Sequence, residues 1–565
     1  MNQLLFLSIF LFISMFAAAQ DECGVPQSKK TKKMFEAATN DYMSRKFPDA
    51  SRTLKELTEL EPECADAWYL LGMINKKNQN AALQEKYFLK VLELCPDYDV
   101  NIHLYLADIY LFSEQWVKAE KELSLFVKDP SKVKEDADLQ RARSNLSKVK
   151  VLSELSKDPK PFNPVCVEGI SSDKDELFPT ITVDNEMALY TRKSLSSSQI
   201  AGSSSGKYVE KLMFSNLQKD GKYDSGDEMP TPFNETANSG AAALTADNLH
   251  LFCVICANEK VNEKVSYYNC DIYSSDNVRG DWRELKTLGP GVNNPDTWES
   301  QVSVSADGNS IFFISDRKGG IGGYDIWKST KKENGDWGNA VNLGPVINSK
   351  GNEYSPFIHT DSQTLYFSSG DKVVTDESNS QTRFKGHPGL GGYDIFFSKL
   401  SEKGEWSQPK NIGFPINTQD DEKGFFVSTD GKKGYFVSNN KAFNGKGGLD
   451  LFSFDLYEAA RPEKVLVVKG DITDRITNQA TDVNIEMVNV QTKKITKIPY
   501  DTNTGKYVIA MAFNNDYLLK VKKPLYAPTT EYFGMKDTTL EAPKKVDIEV
   551  KQVFVGEPYE MKNIN

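Results

Sequence analysis

Two patterns of hydrophobic and polar positions divide the chain. From about residue 31 to 157, apolar side chains recur every three or four positions, which predicts amphipathic helices. After the segment 159–161, short aromatic and β-branched runs alternate with polar residues up to about residue 459, and turn-forming residues separate them. This pattern predicts strands. A smaller region of the same kind follows from about residue 464 to 550. The chain is therefore expected to be helical first and all-β afterwards.

The helical part repeats with the period of a tetratricopeptide hairpin. Pro62 and Pro96 are 34 residues apart, and each closes a segment with helical spacing. Matching small and large residues occupy three copies: Ala38, Ala50, Leu54 and Leu57; Trp68, Leu71, Gly72 and Phe88; Leu106, Ala107, Tyr110, Ala119 and Phe126. We expect these residues to be core, and stacked hairpins to leave a concave groove. Periodic leucines between Lys132 and Lys157 predict a capping helix.

The β region contains a compound unit that recurs along the chain. Each copy has an Asp-containing turn, a strand, a Gly-Gly-x-Asp-Ile segment, a Trp and a Leu-Gly-Pro connector. Three copies are clear and two weaker ones precede them, with Lys211 in place of the expected Asp in the first. The repeat positions are Asp271, Asp325, Asp394 and Asp450, the glycines Gly323, Gly392 and Gly448, and the tryptophans Trp282, Trp337 and Trp406.

The spacing of these units predicts a β-propeller. Successive repeat aspartates are 54, 69 and 56 residues apart, enough for four strands with their turns, so each unit fits one blade. Five units predict five blades, but a sixth could close from segment 163–170. The Gly-Gly pair permits positive φ or close backbone approach, and the Asp is expected to accept hydrogen bonds from backbone N–H groups. The repeat residues are therefore assigned a structural role.

Length and charge narrow the class of function. A chain of 565 residues is too long for one core, so several domains are expected. The formal net charge of −11 disfavours binding to nucleic acid or to an anionic lipid surface.

The first residues predict export. An apolar run from Leu4 to Phe16 precedes Ala17 and Ala19, which occupy the small-residue positions of a signal-peptide cleavage site. Without a basic residue before the run, an uncleaved anchor stays the alternative. Cys23 follows Gln-Asp-Glu rather than small residues, so a lipid anchor is not expected.

The remaining chemistry is sparse. Seven cysteines are an odd number and too few for a disulfide scaffold. Cys253 or Cys256 could face Cys270 on a neighbouring strand, or all three could be buried as small apolar side chains. His103, His250, His359 and His387 lie far apart, without metal-ligand spacing. We assign no catalytic, cofactor-binding or metal-binding residue and expect no cofactor.

These motifs together resemble a known combination. The β units resemble the WD40-like (PD40) repeats of TolB-type propellers, and the module from Lys464 to Val550 resembles the carboxypeptidase regulatory-like domain, a transthyretin-like sandwich. With helical repeats in front, the order resembles the OmpA-family envelope proteins of Bacteroidetes, which include accessory proteins of type IX secretion and gliding. Their terminal OmpA-like domain would begin at 553–565, where the chain stops, so peptidoglycan contact is expected only indirectly or through that missing domain.

The sequence thus predicts a multidomain chain: a tetratricopeptide array, a five- or six-bladed β-propeller and a small sandwich. The expected segments are a signal peptide (1–19), helical repeats (31–157), the propeller (160–459), the sandwich (464–550) and a tail (551–565). The expected function is a non-catalytic periplasmic scaffold, associated with the outer membrane, that binds envelope proteins. The alternative is a propeller that senses a ligand or a cell-wall glycan.

Overall fold

The computed structural model describes residues 24–195, 208–235, 238–262, 265–375, 381–512, 515–534 and 543–554. The chain forms two compact units that divide between Asp158 and Pro159. The first is helical and the second is all-β, which confirms the predicted order. The predicted signal peptide and Cys23 lie outside the described residues. None of the helices in the described ranges is long and apolar enough to cross a membrane.

The described part of the first unit contains seven α-helices, of which the first six form three hairpins and the last packs on the third hairpin. The helices are α1 (Lys29–Met43), α2 (Phe47–Leu60), α3 (Ala65–Lys77), α4 (Ala81–Leu94), α5 (Asn101–Phe112), α6 (Trp116–Lys128) and α7 (Asp136–Ser156). At Gly72, a Cβ atom would stand 2.5 Å from the ring of Phe88. Glycine there lets α3 and α4 approach each other closely.

The three hairpins share one turn geometry. The first helix of each ends in a residue with positive φ: Arg45 (59°), Gln79 (55°) and Glu114 (56°). The next amide donates to the carbonyl five residues earlier in each hairpin, at 2.8, 3.0 and 2.9 Å. This is the Schellman arrangement that closes helix ends, and glycine is its usual residue. The equivalent turns show that the hairpins are structural repeats.

Among its described residues, the second unit contains antiparallel sheets with a short outer strand. The strands from Asp175 to Thr287 form one nine-stranded sheet, which we divide into sheets 1 and 2 at its single parallel pair, Glu210 with Asn238, and the hairpin within sheet 4 pairs only with itself. The first strand is β1 (Val165–Cys166); sheet 1 then contains β2 (Asp175–Ile181), β3 (Met187–Leu195), β4 (Tyr208–Asn216) and β5 (Asp227–Glu228), and sheet 2 contains β6 (Asn238–Leu244), β7 (His250–Asn262), β8 (Val265–Val278), β9 (Asp281–Trp282) and β10 (Lys286–Thr287). Sheet 3 contains β11 (Glu299–Val304), β12 (Ser310–Ser315), β13 (Asp325–Thr330) and β14 (Val341–Asn342), and sheet 4 contains β15 (Asn352–Ile358), β16 (Thr364–Gly370), β19 (Tyr393–Lys399) and β20 (Lys410–Asn411), with the hairpin β17 (Lys372–Thr375) and β18 (Gln381–Phe384) inserted after β16. Sheet 5 contains β21 (Lys423–Val427), β22 (Lys433–Ser438) and β23 (Asp450–Asp455).

The five sheets form a closed ring. The innermost strands β2, β6, β11, β15 and β21 contact one another in this order, and β21 contacts β2. β1 pairs with β23, so the strand that precedes sheet 1 completes sheet 5. The segment that the sequence offered for a sixth blade is therefore the outer strand of sheet 5.

Each innermost strand carries a β-bulge at the same place. The pairing register shifts there, and one residue has positive φ: Phe178 (47°), Ala241 (46°), Gln301 (52°), Ser355 (49°) and Gly424 (67°). Such a conformation costs a non-glycine residue about 1 kcal/mol or more. Hydrogen bonds between sheets offset part of this cost: Gln301 Oε1 accepts from the Ser355 amide at 2.5 Å, and Ser355 Oγ from the Gly424 amide at 3.1 Å.

A smaller module follows the ring. Its strands are β24 (Val465–Asp474), β25 (Asn484–Asn489), β26 (Ile495–Ile498), β27 (Lys506–Ala512), β28 (Tyr517–Lys522), β29 (Thr529–Phe533), β30 (Lys544–Lys545) and β31 (Ile548–Val550). They form two sheets, β27-β24-β30/β31 and β26-β25-β28-β29, around an apolar core. The last strand is interrupted at residues 546–547 and continues along β24 as β31.

Candidate functional site

The Gly-Gly-x-Asp turns join neighbouring sheets of the ring. The Tyr324 amide donates to Asn352 Oδ1 at 3.1 Å, and the Glu353 amide returns a bond to the Tyr324 carbonyl at 2.7 Å. The same two bonds recur between sheets 4 and 5, through Tyr393, Asp421 and Glu422 (3.1 and 2.7 Å), and between sheets 5 and 1, through Leu449, Asp175 and Glu176 (2.9 and 2.7 Å). We call each of these contacts a joint.

The glycines of the turns are needed for close approach. A Cβ atom on Gly323 would stand 2.1 Å from Asn352 Oδ1, and one on Gly392 would stand 2.1 Å from Asp421 Oδ1. Gly448 would meet Asp175 Oδ1 at 1.9 Å. None of these three glycines has a left-handed φ. Of the two roles that the sequence left open, the structure shows close backbone approach.

The repeat aspartates close the Gly-rich turns from inside. Asp325, Asp394 and Asp450 are at most 1 % exposed. Their amide donors are Ile321 and Gly322 (3.1 Å) for Asp325, Leu390 (2.5 Å) for Asp394, and Lys446 (2.6 Å) and Gly447 (3.0 Å) for Asp450. Asp271 occupies the equivalent place on β8 but is only partly buried. Lys211, which replaces Asp in sheet 1, donates to the Asn234 carbonyl at 2.7 Å.

The repeat tryptophans pack each sheet against the preceding part of the ring. Trp337 in sheet 3 meets Phe252 of sheet 2 edge-on at 5.6 Å, and Trp406 in sheet 4 meets Phe312 of sheet 3 at 6.4 Å. Trp282 in sheet 2 contacts Phe233, which precedes β6, at 5.6 Å. These tryptophans therefore lie in the packing between sheets.

Sequence reasoning missed a set of buried asparagines. Asn417 accepts from the Ile395 amide at 2.8 Å and donates to the Ile395 carbonyl at 2.9 Å. Asn348 holds Ile326, and Asn293 holds Ile272, in the same way. Each follows a Leu-Gly or Ile-Gly connector by the same number of residues, a signal that the sequence did contain.

A second missed set is a buried glutamate near the start of four innermost strands. The members are Glu176, Glu299, Glu353 and Glu422, which are at most 8 % exposed. Glu299, Glu353 and Glu422 are spaced 54 and 69 residues apart, as are Asp271, Asp325 and Asp394. Sheet 2 has Ser239 at this place, next to the sheet that has Lys211 instead of Asp. Between sheets 1 and 2, both the repeat aspartate and the repeat glutamate are therefore replaced.

The four glutamates have two kinds of surroundings. Arg192 Nε lies 2.9 Å from Glu176, and Arg317 Nη2 lies 2.9 Å from Glu299. Among the described residues no lysine or arginine pairs with Glu353 or Glu422. Their donors are hydroxyl groups and backbone amides: the Ser349 hydroxyl (2.5 Å) and amide (3.1 Å) and the Ser369 hydroxyl (2.8 Å) for Glu353, and the Thr418 hydroxyl (2.5 Å) and amide (3.0 Å) for Glu422.

Burial without a cation shifts the titration of these groups. Loss of hydration raises the pKa of Glu353 to about 7 and that of Glu422 to about 8. The negative charges of Asp325 and Asp394, respectively, add to these shifts. Burial also raises the pKa of Asp394 to about 7, against two backbone hydrogen bonds. Burial raises the pKa of Glu176 as well, but Ser172 and Arg192 oppose it.

A cluster of aromatic side chains lies directly beside these carboxyls. Tyr324, Tyr354, Tyr393 and Lys423 are all partly exposed, and each is the immediate neighbour in sequence of Asp325, Glu353, Asp394 or Glu422. The Tyr354 ring lies 5.3 Å from that of Tyr324 and 5.1 Å from that of Tyr393. The Lys423 ammonium stands 3.9 Å from the Tyr393 ring centre. We call these four residues the tyrosine face.

The innermost strands enclose a cavity on the ring axis. Its volume is about 100 Å³. Its lining includes Phe178, Ala241, Gln301, Ser355 and Gly424, the bulge residues of the five sheets.

A disulfide lies at the edge of sheet 2. Cys256 and Cys270 are bonded directly across β7 and β8, and Cys253 is a free, buried thiol. Pairing of β7 with the innermost strand ends at Asn238 and Cys256. Beyond that point β7 and β8 continue as a two-stranded hairpin. The disulfide therefore closes the base of the hairpin.

The four histidines lie in separate places. His103 contacts Glu122 at 2.6 Å, His250 contacts Asp276 at 2.8 Å, and His359 and His387 bond to backbone carbonyl groups. The described ranges contain no group of three or more His, Cys, Asp or Glu side chains arranged to hold a metal ion.

No protein-family model and no curated protein matches the chain. Among solved structures, the type III secretion translocator chaperone SycD of Yersinia enterocolitica is 19% identical over 23% of this chain and 88% of its own, with a TM-score of 0.21. The α-L-arabinofuranosidase of Lactobacillus brevis is 11% identical over 53% of this chain and 95% of its own, with a TM-score of 0.29. The Trypanosoma rangeli sialidase, in complex with sialic acid, is 9% identical over 53% of this chain and 59% of its own, with a TM-score of 0.28. At TM-scores below 0.3, none of these similarities bears on function.

Proposed function

We propose that this chain is an exported, non-catalytic scaffold of the cell envelope that binds other envelope proteins. In this proposal the three helical hairpins are tetratricopeptide repeats, the ring of five sheets is a five-bladed β-propeller, and the last module is a transthyretin-like sandwich. The equivalent hairpin turns and the closed order of the innermost strands support these assignments. The resemblance to OmpA-family proteins of type IX secretion and gliding suggests the setting.

The observation that carries the proposal is the arrangement at the joints. The carboxyl groups repeated around the ring are buried and bonded to backbone amides and hydroxyl groups of the fold. The groups presented beside them are the tyrosine face. Tyrosine is enriched at protein interfaces, because its ring buries apolar area while its hydroxyl forms hydrogen bonds. The arrangement therefore supports a binding surface rather than a site of chemistry.

The helical unit presents its own exposed apolar groups. Phe112, at the end of α5, is 92% exposed, and Met43, at the end of α1, is 61% exposed. Both lie at the ends of first helices of their hairpins. We propose that these exposed helix ends contact a second protein partner.

Site-specific cross-linking in cells tests the proposal. A photoreactive residue is placed at Lys350, in the exposed loop beside the joint between sheets 3 and 4, and separately at Phe112. The matched control is Glu333, an exposed turn residue at the opposite end of sheet 3. The same envelope protein should be captured repeatedly from Lys350 but not from Glu333. Recovery of uncross-linked monomer alone from Lys350 and Phe112 would overturn the scaffold proposal.

A second candidate function is glycan binding at the surface of the ring. The axial cavity of about 100 Å³ is smaller than the roughly 300–1,000 Å³ of typical ligand sites. A sugar would therefore bind outside it, where Tyr268 and Trp298 are each 38% exposed and their rings lie 6.1 Å apart. A thermal-shift screen with wall fragments tests this: a shift that is lost in W298A would support it, and a flat response would exclude it.

A further inference from the structure

The joints on the two sides of sheet 4 differ from the surroundings of Glu176 and Glu299. In the latter an arginine lies against the buried glutamate. At the joint between sheets 4 and 5, Asp394 and Glu422 are both buried, and among the described residues no lysine or arginine pairs with either. Asp394 Oδ1 has no hydrogen-bond partner in the described ranges, which is also true of Asp450 Oδ1 at the joint beside Glu176 and Arg192. At the joint between sheets 3 and 4, the negative charge of Asp325 likewise raises the pKa of Glu353, but both Asp325 oxygens accept hydrogen bonds, from Gly322 at 3.1 Å and Asn342 at 2.8 Å. A buried acceptor without a donor is costly, and a pair of buried negative charges more so.

The cations on adjacent segments bind other carboxylates. The Lys423 ammonium lies 3.1 Å from Asp421. Beside Glu353, Arg383 (3.3 Å) and Lys385 (2.9 Å) both pair with Asp371. The imidazole of His387, whose backbone amide donates to Ser369, bonds to the Ile347 carbonyl, and burial lowers its pKa, so it stays neutral. The other charged group that acts on Glu422 is Asp420, which is also negative. A proton is therefore the counter-charge that these joints can take up.

We propose that the joints on both sides of sheet 4 are proton-dependent latches, which hold the tyrosine face in place while protonated and loosen it when they ionise. A proton on Asp394 or Glu422 removes one of two buried negative charges that repel each other. Loss of both protons leaves like charges facing each other across the joint. Tyr393 is bonded to this joint through its own amide and carbonyl, so its ring moves with it. The latch itself does not depend on the proposed function; only the idea that the tyrosine face binds a partner rests on it.

The sign of the pH dependence follows from burial. The ordinary pKa values are 3.8 for Asp and 4.5 for Glu, and those of the folded state are raised to about 7 for Asp394 and about 8 for Glu422. Between these limits the folded state binds more protons than the unfolded state, so the stabilising effect is complete below pH about 4 and is lost as the pH rises through 7 to 8. Each such proton changes the folding equilibrium constant by up to tenfold per pH unit.

Urea unfolding of the full chain between pH 6 and 9 tests the latch without any partner. The folding equilibrium constant of the wild type should fall as the pH rises. Glu422→Gln has a neutral side chain at every pH. Its folding equilibrium constant should therefore fall less steeply with pH than that of the wild type, by up to a factor of ten per pH unit below pH 8. Glu353→Gln should act in the same way at the other joint and serves as the second variant if Glu422→Gln does not fold.

Glu299→Gln is the matched control. It removes a buried glutamate of the same repeat position, but one that is paired with Arg317, so it should lower stability at all pH values and leave the slope between pH 6 and 9 unchanged. Amide exchange at Tyr393 and Glu422 should quicken from pH 6 to 9, beyond the intrinsic effect of pH measured in the unfolded chain. A wild-type slope of zero, or equal slopes in wild type, E353Q and E422Q, would overturn the latch. These measurements use the chain without a partner. A failure of the latch therefore does not affect the scaffold proposal, which the cross-linking experiment tests separately.

Discussion

Around the ring, single asparagine and serine side chains form hydrogen bonds to backbone groups that a neighbouring strand would otherwise bind. Asn417 is fully buried and satisfies both the amide and the carbonyl of Ile395. Neither backbone group is exposed to water, because Ile395 is itself fully buried. A buried backbone group without a partner costs about 1–3 kcal/mol. One side chain therefore holds a larger share of stability than its size suggests.

Asn417→Ala should lower the free energy of unfolding by about 1–3 kcal/mol, because it leaves the buried Ile395 amide without an acceptor, whereas the Ile395 carbonyl still accepts from the Ile412 amide at 3.0 Å. Urea denaturation measures the change. Asn439→Ala, at an exposed position just after β22, is the control and should stay within about 0.5 kcal/mol of the wild type. Equal effects of the two substitutions would show that the bonds to Ile395 contribute little.

At the scale of elements, one hairpin of the ring, β7–β8, extends beyond its sheet. Two-stranded ribbons are marginally stable in water. The β7–β8 hairpin departs from sheet 2 at the place where Cys256 and Cys270 are joined. The disulfide supplies at that edge the constraint that a third strand supplies elsewhere.

Replacement of both cysteines in C256A/C270A should lower the free energy of unfolding by about 2–3 kcal/mol, since a short loop is no longer closed in the unfolded chain. Amide exchange of residues 257–262 should rise more than that of β6. The free thiol variant C253A gives the control, because it removes a buried sulfur without opening a loop, and its exchange in this hairpin should match the wild type. Unchanged exchange in the double variant would contradict this role of the disulfide.

At the scale of the whole β unit, the ring depends on contacts between distant parts of the chain. Ser171 Oγ accepts from the Leu451 amide at 3.1 Å and donates to the Leu451 carbonyl at 3.2 Å, across 280 residues. It acts in sheet 5 as Asn417 does in sheet 4. Together with β1 it joins the beginning of the ring to its end.

Ser171→Ala should cost about 1–3 kcal/mol by leaving the buried Leu451 amide without an acceptor. Because this bond closes the ring, amide exchange should rise together in β2 and β23 and stay unchanged in β12. Val165→Ala, in the same closing segment but with an exposed side chain, should change neither. A rise confined to Leu451 would show that closure does not depend on this bond.

Local repetition made much of this protein readable from its sequence. The period near 34 residues, the change to alternation after residue 159 and the recurring Gly-Gly-x-Asp turns fixed the order of helical and β regions and the positions of the sheets, since periodicity depends on neighbours along the chain. The buried glutamates and asparagines were visible at the same spacings, but their type suggested surface residues because only tertiary contacts show that they are buried.

What the tertiary structure alone decided depends on partners far apart in sequence. It placed the strand at Val165 in sheet 5, so that segment 163–170 does not begin a further sheet among the described residues, because strand pairing across the ring leaves no local pattern. It put arginines beside Glu176 and Glu299 but, among the described residues, not beside Glu353 and Glu422, and burial raises the pKa of the latter two. The sequence by itself determined how the repeats are built; their packing decided which of four similar buried carboxyls have an arginine beside them.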